Sequence, residues 1–131
     1  MVSKLKHRLG SLRVGDPLDK NTDLGAINSK EQLQTVQKYI RLGVEEGANL
    51  HEVSDARLPA KGNWCAPCFF TGVQPSHAIA REEIFGPVLS IMTFRTPQEA
   101  IARANNSPYG LAAGVWTDKG SKVFEIAKEL E

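Results

Sequence analysis

Several common bases of activity are missing from this sequence. Its 131 residues include only two cysteines, Cys65 and Cys68. That is too few for a disulfide framework. No apolar run approaches the length of a membrane span. The stretch from Met1 to Gly10 is basic but has no apolar centre, so it is not expected to act as a secretory signal. Together these features predict a reducing compartment, the cytoplasm, and no membrane partner. The net charge is +1 with 24% charged residues, so no basic field points to nucleic acid. There is no G-x-G-x-x-G phosphate loop, internal repeat or low-complexity segment. His7, His51 and His77 are scattered, without the paired spacing of a zinc site. The acidic residues between Gly15 and Ile27 lack the alternation of a calcium loop and read as solvated turns. No Ser-His-Asp arrangement is legible.

What remains is a well-patterned chain of one domain or less, 41% hydrophobic, which argues against disorder. Leu5, Leu9 and Leu12 form a helical stripe near the start. Ser29-Lys30-Glu31-Gln32 has the form of a capping box, in which Gln32 reaches back to the cap. It predicts a helix to about Glu46 with Leu33, Val36, Tyr39, Ile40 and Val44 on its buried side and Gly47 as its stop. Strands are predicted over Asn49–Val53, Trp64–Phe70, Val88–Phe94 and Leu111–Thr117, with a polar loop from Ser54 to Asn63. Thr96-Pro97-Gln98-Glu99 predicts a second capped helix, and Asp118 is placed to cap a last one with Val123, Phe124, Ala127 and Leu130 on one face. The alternation of strand and helix predicts an α/β fold, a mainly parallel sheet with flanking helices.

The chain is organised around Arg81-Glu82-Glu83-Ile84-Phe85-Gly86-Pro87-Val88. A short helical pattern from Ala78 to Glu83 meets a Gly-Pro turn and then a strand. Gly86 can adopt angles closed to other residues, and Pro87 ends any helix. A carboxylate and an aromatic ring are thereby held at a sharp corner, where they could meet a sugar diol and a flat heterocycle. On spacing alone the plainer reading is favoured: Glu83 is solvated and Phe85 is a core anchor.

This stretch resembles the Glu-Glu-Ile-Phe-Gly-Pro signature of the NAD(P)-dependent aldehyde dehydrogenases. Leu12 to Asp19, Thr22 to Gly25, Glu45 to Ala48 and Ala104 to Ala113 are similar to the same family, in its order and spacing. The wording from Arg8 to Asn28 resembles the family-16 branch and its bacterial relatives. The resemblance implies that residues 1–131 are part of the catalytic domain, downstream of the nucleophilic cysteine. It implies an oxidoreductase that converts an aldehyde to a carboxylic acid with NAD or NADP, as a homo-oligomer. In that chemistry a thiolate attacks the aldehyde, hydride passes to the cofactor, and a glutamate activates water to release the acid. The family's thiolate and glutamate lie upstream of the matched region, so no catalytic residue is expected here. The resemblance assigns cofactor-binding roles to Glu83 and Phe85, at the nicotinamide and its ribose, and to Gln32, at the cofactor's sugar region. The plainer role for Gln32 is to complete the helix cap. Thr35 stands where the family often has a lysine.

Two other function classes carry distinct expectations. Exposed strand edges would suit a short non-catalytic protein that binds full-length subunits of the family. Trp64-Cys65-Ala66-Pro67-Cys68 resembles a thioredoxin dithiol, which would make the chain a disulfide oxidoreductase. A redox dithiol needs a strand before it and a helix starting at it. Here a polar loop precedes the cysteines and a strand-like run follows.

Overall fold

The computed structural model describes residues 1–53 and 56–131. They form two compact units, Met1–Met92 and Thr93–Glu131.

The first unit begins with α1 (Val2–Ser11), on which Leu9 is buried and Leu5 half-buried, as the leucine stripe requires. Next comes α2 (Lys30–Glu45), followed by β1 (Asn49–His51), β2 (Cys68–Thr71), α3 (Ala78–Arg81) and β3 (Val88–Ser90). The start of α2 follows the sequence in one half only. The Ser29 hydroxyl accepts from the Gln32 amide at 3.0 Å, but the Gln32 side chain does not turn back to the cap. The end of α2 is a Schellman motif. Gly47 has φ +92, its N–H donates to Val44 O, and the Ala48 N–H donates to Gly43 O. Gly43 takes the buried position expected of Val44, which is 50% exposed.

The strands lie in the order β1-β2-β3. β1 pairs antiparallel with β2, Leu50 opposite Phe70. β2 pairs parallel with β3, Phe69 opposite Leu89, and α3 lies in the connection between them. The α/β alternation is therefore present, but the sheet is mixed rather than mainly parallel. The antiparallel member is β1, reached from α2 by a tight turn. All three strands are shorter than their apolar patterns predict. Of the loop expected from Ser54 to Asn63, Ser54 and Asp55 lie outside the described residues, and 56–63 carry no helix or strand. The core comprises Val36, Ala48, Cys68, Phe70, Val73, Ile79 and Ile84, with Phe70 and Val36 fully buried. At roughly 25 cal/mol per Å2 of apolar area removed from water, these side chains supply the unit's main cohesion. His77 is buried and satisfied: its Nδ1 accepts from the Gln74 N–H.

The second unit contains α4 (Pro97–Asn105) and α5 (Gly120–Ala127). Thr96 caps α4 as expected, its hydroxyl accepting from the Glu99 amide. Glu99 returns to the Arg95 N–H, one residue short of the box. That bond, with help from Arg103 and Arg95, holds the Glu99 carboxyl below the usual carboxylate range. Asp118 does not cap α5; Lys119 is its first flanking residue, and no side chain closes the cap. The strand expected at Leu111–Thr117 does not form. Leu111 and Trp116 are 100% and 97% exposed, and among the described residues of its own unit no strand forms to complete a ladder with this segment.

Candidate functional site

The corner between α3 and β3 is built by what lies beneath it. α3 ends at Arg81, and the Glu82 N–H closes its last turn on Ala78 O. Beyond it the backbone is extended, which favours alternating sides. Ile84 enters the core at 8% exposure, while Glu83 and Phe85 are exposed, Phe85 by 72%. The core anchor at this corner is therefore Ile84, not Phe85.

Phe85 has φ 51, the one non-glycine positive φ among the described residues. An L-residue in this region costs about 1–2 kcal/mol. The sequence suggested that Gly86 would absorb the unusual angles. The φ of Gly86 is instead not positive, and its lack of a side chain serves a different purpose. A Cβ at Gly86 would stand 2.5 Å from Val36 Cγ2 and 2.9 Å from Val36 Cγ1. The glycine is required by close approach of the chain to α2.

Three residues of α2 receive this corner. The Gln32 side-chain amide donates to Ile84 O at 2.9 Å and lies 3.4 Å from Phe85 O. Val36 packs under Gly86. The Tyr39 hydroxyl donates to Glu82 Oε2 at 2.5 Å. Positions 32, 36 and 39 fall on one helical stripe, since i, i+4 and i+7 share a face. On the other side, Pro87 O accepts from the Cys68 N–H at 3.0 Å and fixes the start of β3 to β2. Tyr39, Val36 and Glu82 were not singled out as site residues from sequence. The signal was present in the apolar spacing of α2, but nothing in that spacing says which distant segment the stripe receives.

Gln32 and Phe85 also line one depression of about 230 Å3, with Ala26, Ile27 and Asn28. Glu83 is exposed two residues earlier and does not line it. The structure thus brings Gln32 and Phe85 together directly and leaves Glu83 at the rim of the same turn. Thr35 donates to Glu31 O within its own helix and does not reach the corner.

The cysteines have the opposite character. Cys68 is the first residue of β2 and 4% exposed. Burial, followed by the neighbouring Cys65 and Glu52, pushes its thiol up to about 12. Burial also raises the Cys65 thiol. Both groups are neutral thiols at physiological pH, and no helix begins at them to stabilise a thiolate. The environment of Cys65-x-x-Cys68 is that of a strand entering a core. Among the described residues, no group of three or more His, Cys, Asp or Glu could hold a metal ion, and no helix is long and apolar enough to cross a membrane.

Comparison with known proteins gives the corner its context. The family model described as "Aldehyde dehydrogenase family" matches residues 1–131. The 5-carboxymethyl-2-hydroxymuconate semialdehyde dehydrogenase of Escherichia coli is 42% identical, over 98% of this chain and 29% of that protein. The NAD-dependent aldehyde dehydrogenase of Sinorhizobium meliloti superposes with a TM-score of 0.88 at 35% identity, covering 98% of this chain and 26% of that one. The Mycobacterium tuberculosis aldehyde dehydrogenase complexed with NAD+ gives 0.88 at 39% identity, covering 98% and 27%. The chain spans between a quarter and a third of the length of these relatives. A family match from the first residue to the last, and a backbone that follows solved members at these identities, place it plainly: the chain belongs to the aldehyde dehydrogenase family.

Proposed function

We propose that residues 1–131 form part of the catalytic domain of an NAD(P)-dependent aldehyde dehydrogenase, downstream of its nucleophilic cysteine, and that the 82–86 corner is one wall of the cofactor site. The intact enzyme oxidises an aldehyde to its carboxylic acid, in the cytoplasm and as a homo-oligomer. The observation that carries this reading is the pinned corner itself. A carboxylate and an aromatic ring are exposed two residues apart, on a turn fixed from below by Ile84, Val36 and Gln32.

The exposed groups fit a dinucleotide. The Glu83 carboxylate is acceptor-only when ionised and suits the paired hydroxyls of a ribose. The Phe85 ring offers an apolar surface to a flat nicotinamide, and its left-handed backbone fixes where that ring starts. The bound cofactor supplies the hydride acceptor. Glu83 and Phe85 position that acceptor, and positioning can control rate strongly. Gln32 shares the depression beside Phe85 and borders the same site. Neither cysteine has the environment of a thiolate nucleophile, which agrees with a nucleophile supplied from outside this segment.

In the intact enzyme, Glu83→Gln slows single-turnover hydride transfer more than it weakens cofactor binding. An unchanged transfer rate in that variant removes the assignment. The 131-residue chain by itself reduces no NAD with an aldehyde; turnover above a blank would overturn the view that the reaction centre lies elsewhere. A second reading, a non-catalytic protein that binds full-length family subunits, is favoured by the sheet edges. β1 and β3 are both edge strands, and Leu89 on β3 is 51% exposed. Co-purification of the chain with a full-length member of the family would support it.

A further inference from the structure

We infer that Tyr39 is a positioning residue for Glu83 and acts through Glu82. This deepens the reading of the corner as a cofactor wall and rests on it. The corner carries two adjacent carboxylates, Glu82 and Glu83, and the sequence alone does not say which faces which way. Glu82 has φ −117 and ψ 147, an extended backbone that sends neighbouring side chains to opposite sides. Glu82 and Ile84 therefore fall on the side of α2, and Glu83 on the other. Ile84 is held there by the core. Glu82 is held by the Tyr39 hydroxyl, which donates to its Oε2 at 2.5 Å. Glu83 thus lies between two neighbours, each tied to α2 by a different force.

The tie is rigid on the α2 side. Tyr39 is half-buried and its ring packs against the core cluster, so the apolar body is anchored and the polar tip reaches out. The bond has the length of an O–H donor on a carboxylate, the stronger class of hydrogen bond. The same face of α2 holds the rest of α3. A Cβ at Gly43 would stand 2.9 Å from Ile79 Cδ1, and the Glu46 carboxylate accepts at 2.8 Å from the N–H of Ala78, the first residue of α3. Positions 36, 39, 43 and 46 fall on one stripe, since steps of three and four residues share a helix face. α3 has only four residues, too few to keep a helical shape unaided. Glu46 fixes its start and Tyr39 its exit. Loss of the Tyr39 hydroxyl releases the exit alone: Glu82 can swing toward solvent, and the peptide leading into Glu83 turns with it.

The test uses the full-length dehydrogenase that carries this segment, with NAD as the probe and rates expressed per bound NAD, so that unfolded enzyme does not count. Single-turnover hydride transfer and NAD dissociation constants are measured for Tyr39→Phe, for Glu83→Gln and for the two together, then for Glu82→Gln and Glu82→Leu. The expected result for Tyr39→Phe is a fall in transfer rate of roughly tenfold, with a smaller change in NAD affinity. Where Glu83 has already been replaced, Tyr39→Phe should cost about twofold or less, because the group that it positions is gone. A loss of general stability would instead add in full to that of Glu83→Gln. Glu82→Gln keeps an oxygen that accepts from Tyr39 and should retain more of the rate than Glu82→Leu. Wild-type transfer in Tyr39→Phe, a loss undiminished in the double variant, or equal losses in the two Glu82 variants overturns the role of Tyr39 and leaves the cofactor wall standing if Glu83→Gln is slow. Unchanged transfer in Glu83→Gln overturns the cofactor-wall reading itself, and the role of Tyr39 falls with it.

Discussion

Replacing Gly86 with alanine sets two effects of opposite sign against each other. The φ of Gly86 is not positive, so alanine there escapes the left-handed penalty and narrows the unfolded ensemble. By that effect alone the variant would gain about 0.4–1 kcal/mol. The new Cβ, however, would lie 2.5 Å from Val36 Cγ2 and 2.9 Å from Cγ1, where carbon atoms normally rest at about 3.5–4.0 Å. Val36 is fully buried in α2, and a β-branched side chain in a helix has essentially one χ1 available. The helix or the corner must move, at about 1–3 kcal/mol. The net expectation is a loss of roughly 1–2 kcal/mol, read by urea unfolding of the chain followed by far-UV circular dichroism. Val36→Ala opens the space that the new methyl would fill, so the double variant should be more stable than the sum of the singles predicts, by about 1 kcal/mol or more. Stability equal to or above wild type in Gly86→Ala, or strict additivity in the double variant, would refute the argument that contact rather than conformation demands this glycine.

Other outcomes follow from the same geometry. Phe85→Val should destabilise the chain further, although the side chain is exposed, because a β-branched residue tolerates a positive φ even less well than phenylalanine; Phe85→Gly, which removes a strain of about 1–2 kcal/mol, should be no less stable than wild type, and equilibrium unfolding of the pair checks this. Cys68 should resist thiol reagents until the chain unfolds. Its folded value near 12 lies above the ordinary 9.0, so the native state keeps a proton that the unfolded state gives up. Its contribution to stability is therefore complete below pH 9 and lost as pH climbs from 9 toward 12; a Cys68→Ala chain, compared with wild type over that range, should show a shallower decline.

Much of the architecture could be read from local chemistry. Ser29 and Thr96 cap their helices as hydroxyls before helical runs do, and Gly47 stops α2 where a left-handed residue is needed. These are decisions made within a few residues. The corner was legible as a corner, and its two exposed groups could be named. What could not be read was the assignment of jobs within it. Phe85 and Ile84 are both large and apolar, and only the course of the backbone after α3 decides which enters the core. Gly86 invited an explanation from its flexibility, yet the reason for it sits fifty residues earlier, at Val36. Gln32 fitted a local capping box, but its side chain bonds a carbonyl 52 positions away. The expected strand at Leu111–Thr117 fails for a related reason: an extended apolar segment becomes a strand only when another lies alongside it.

The stripe of Gln32, Val36 and Tyr39 bears on how the chain can tolerate changes in length. Each residue of an α-helix turns the next by about 100°. Deleting one residue between Gln32 and Val36 would swing either the amide or the valine methyls away from the turn that they hold. No repacking of side chains could restore both. An inserted residue would have the same effect in the opposite direction. Substitutions in this segment can therefore be graded by size and polarity, but insertions and deletions between positions 32 and 39 should act as all-or-none lesions of the corner that these three residues hold.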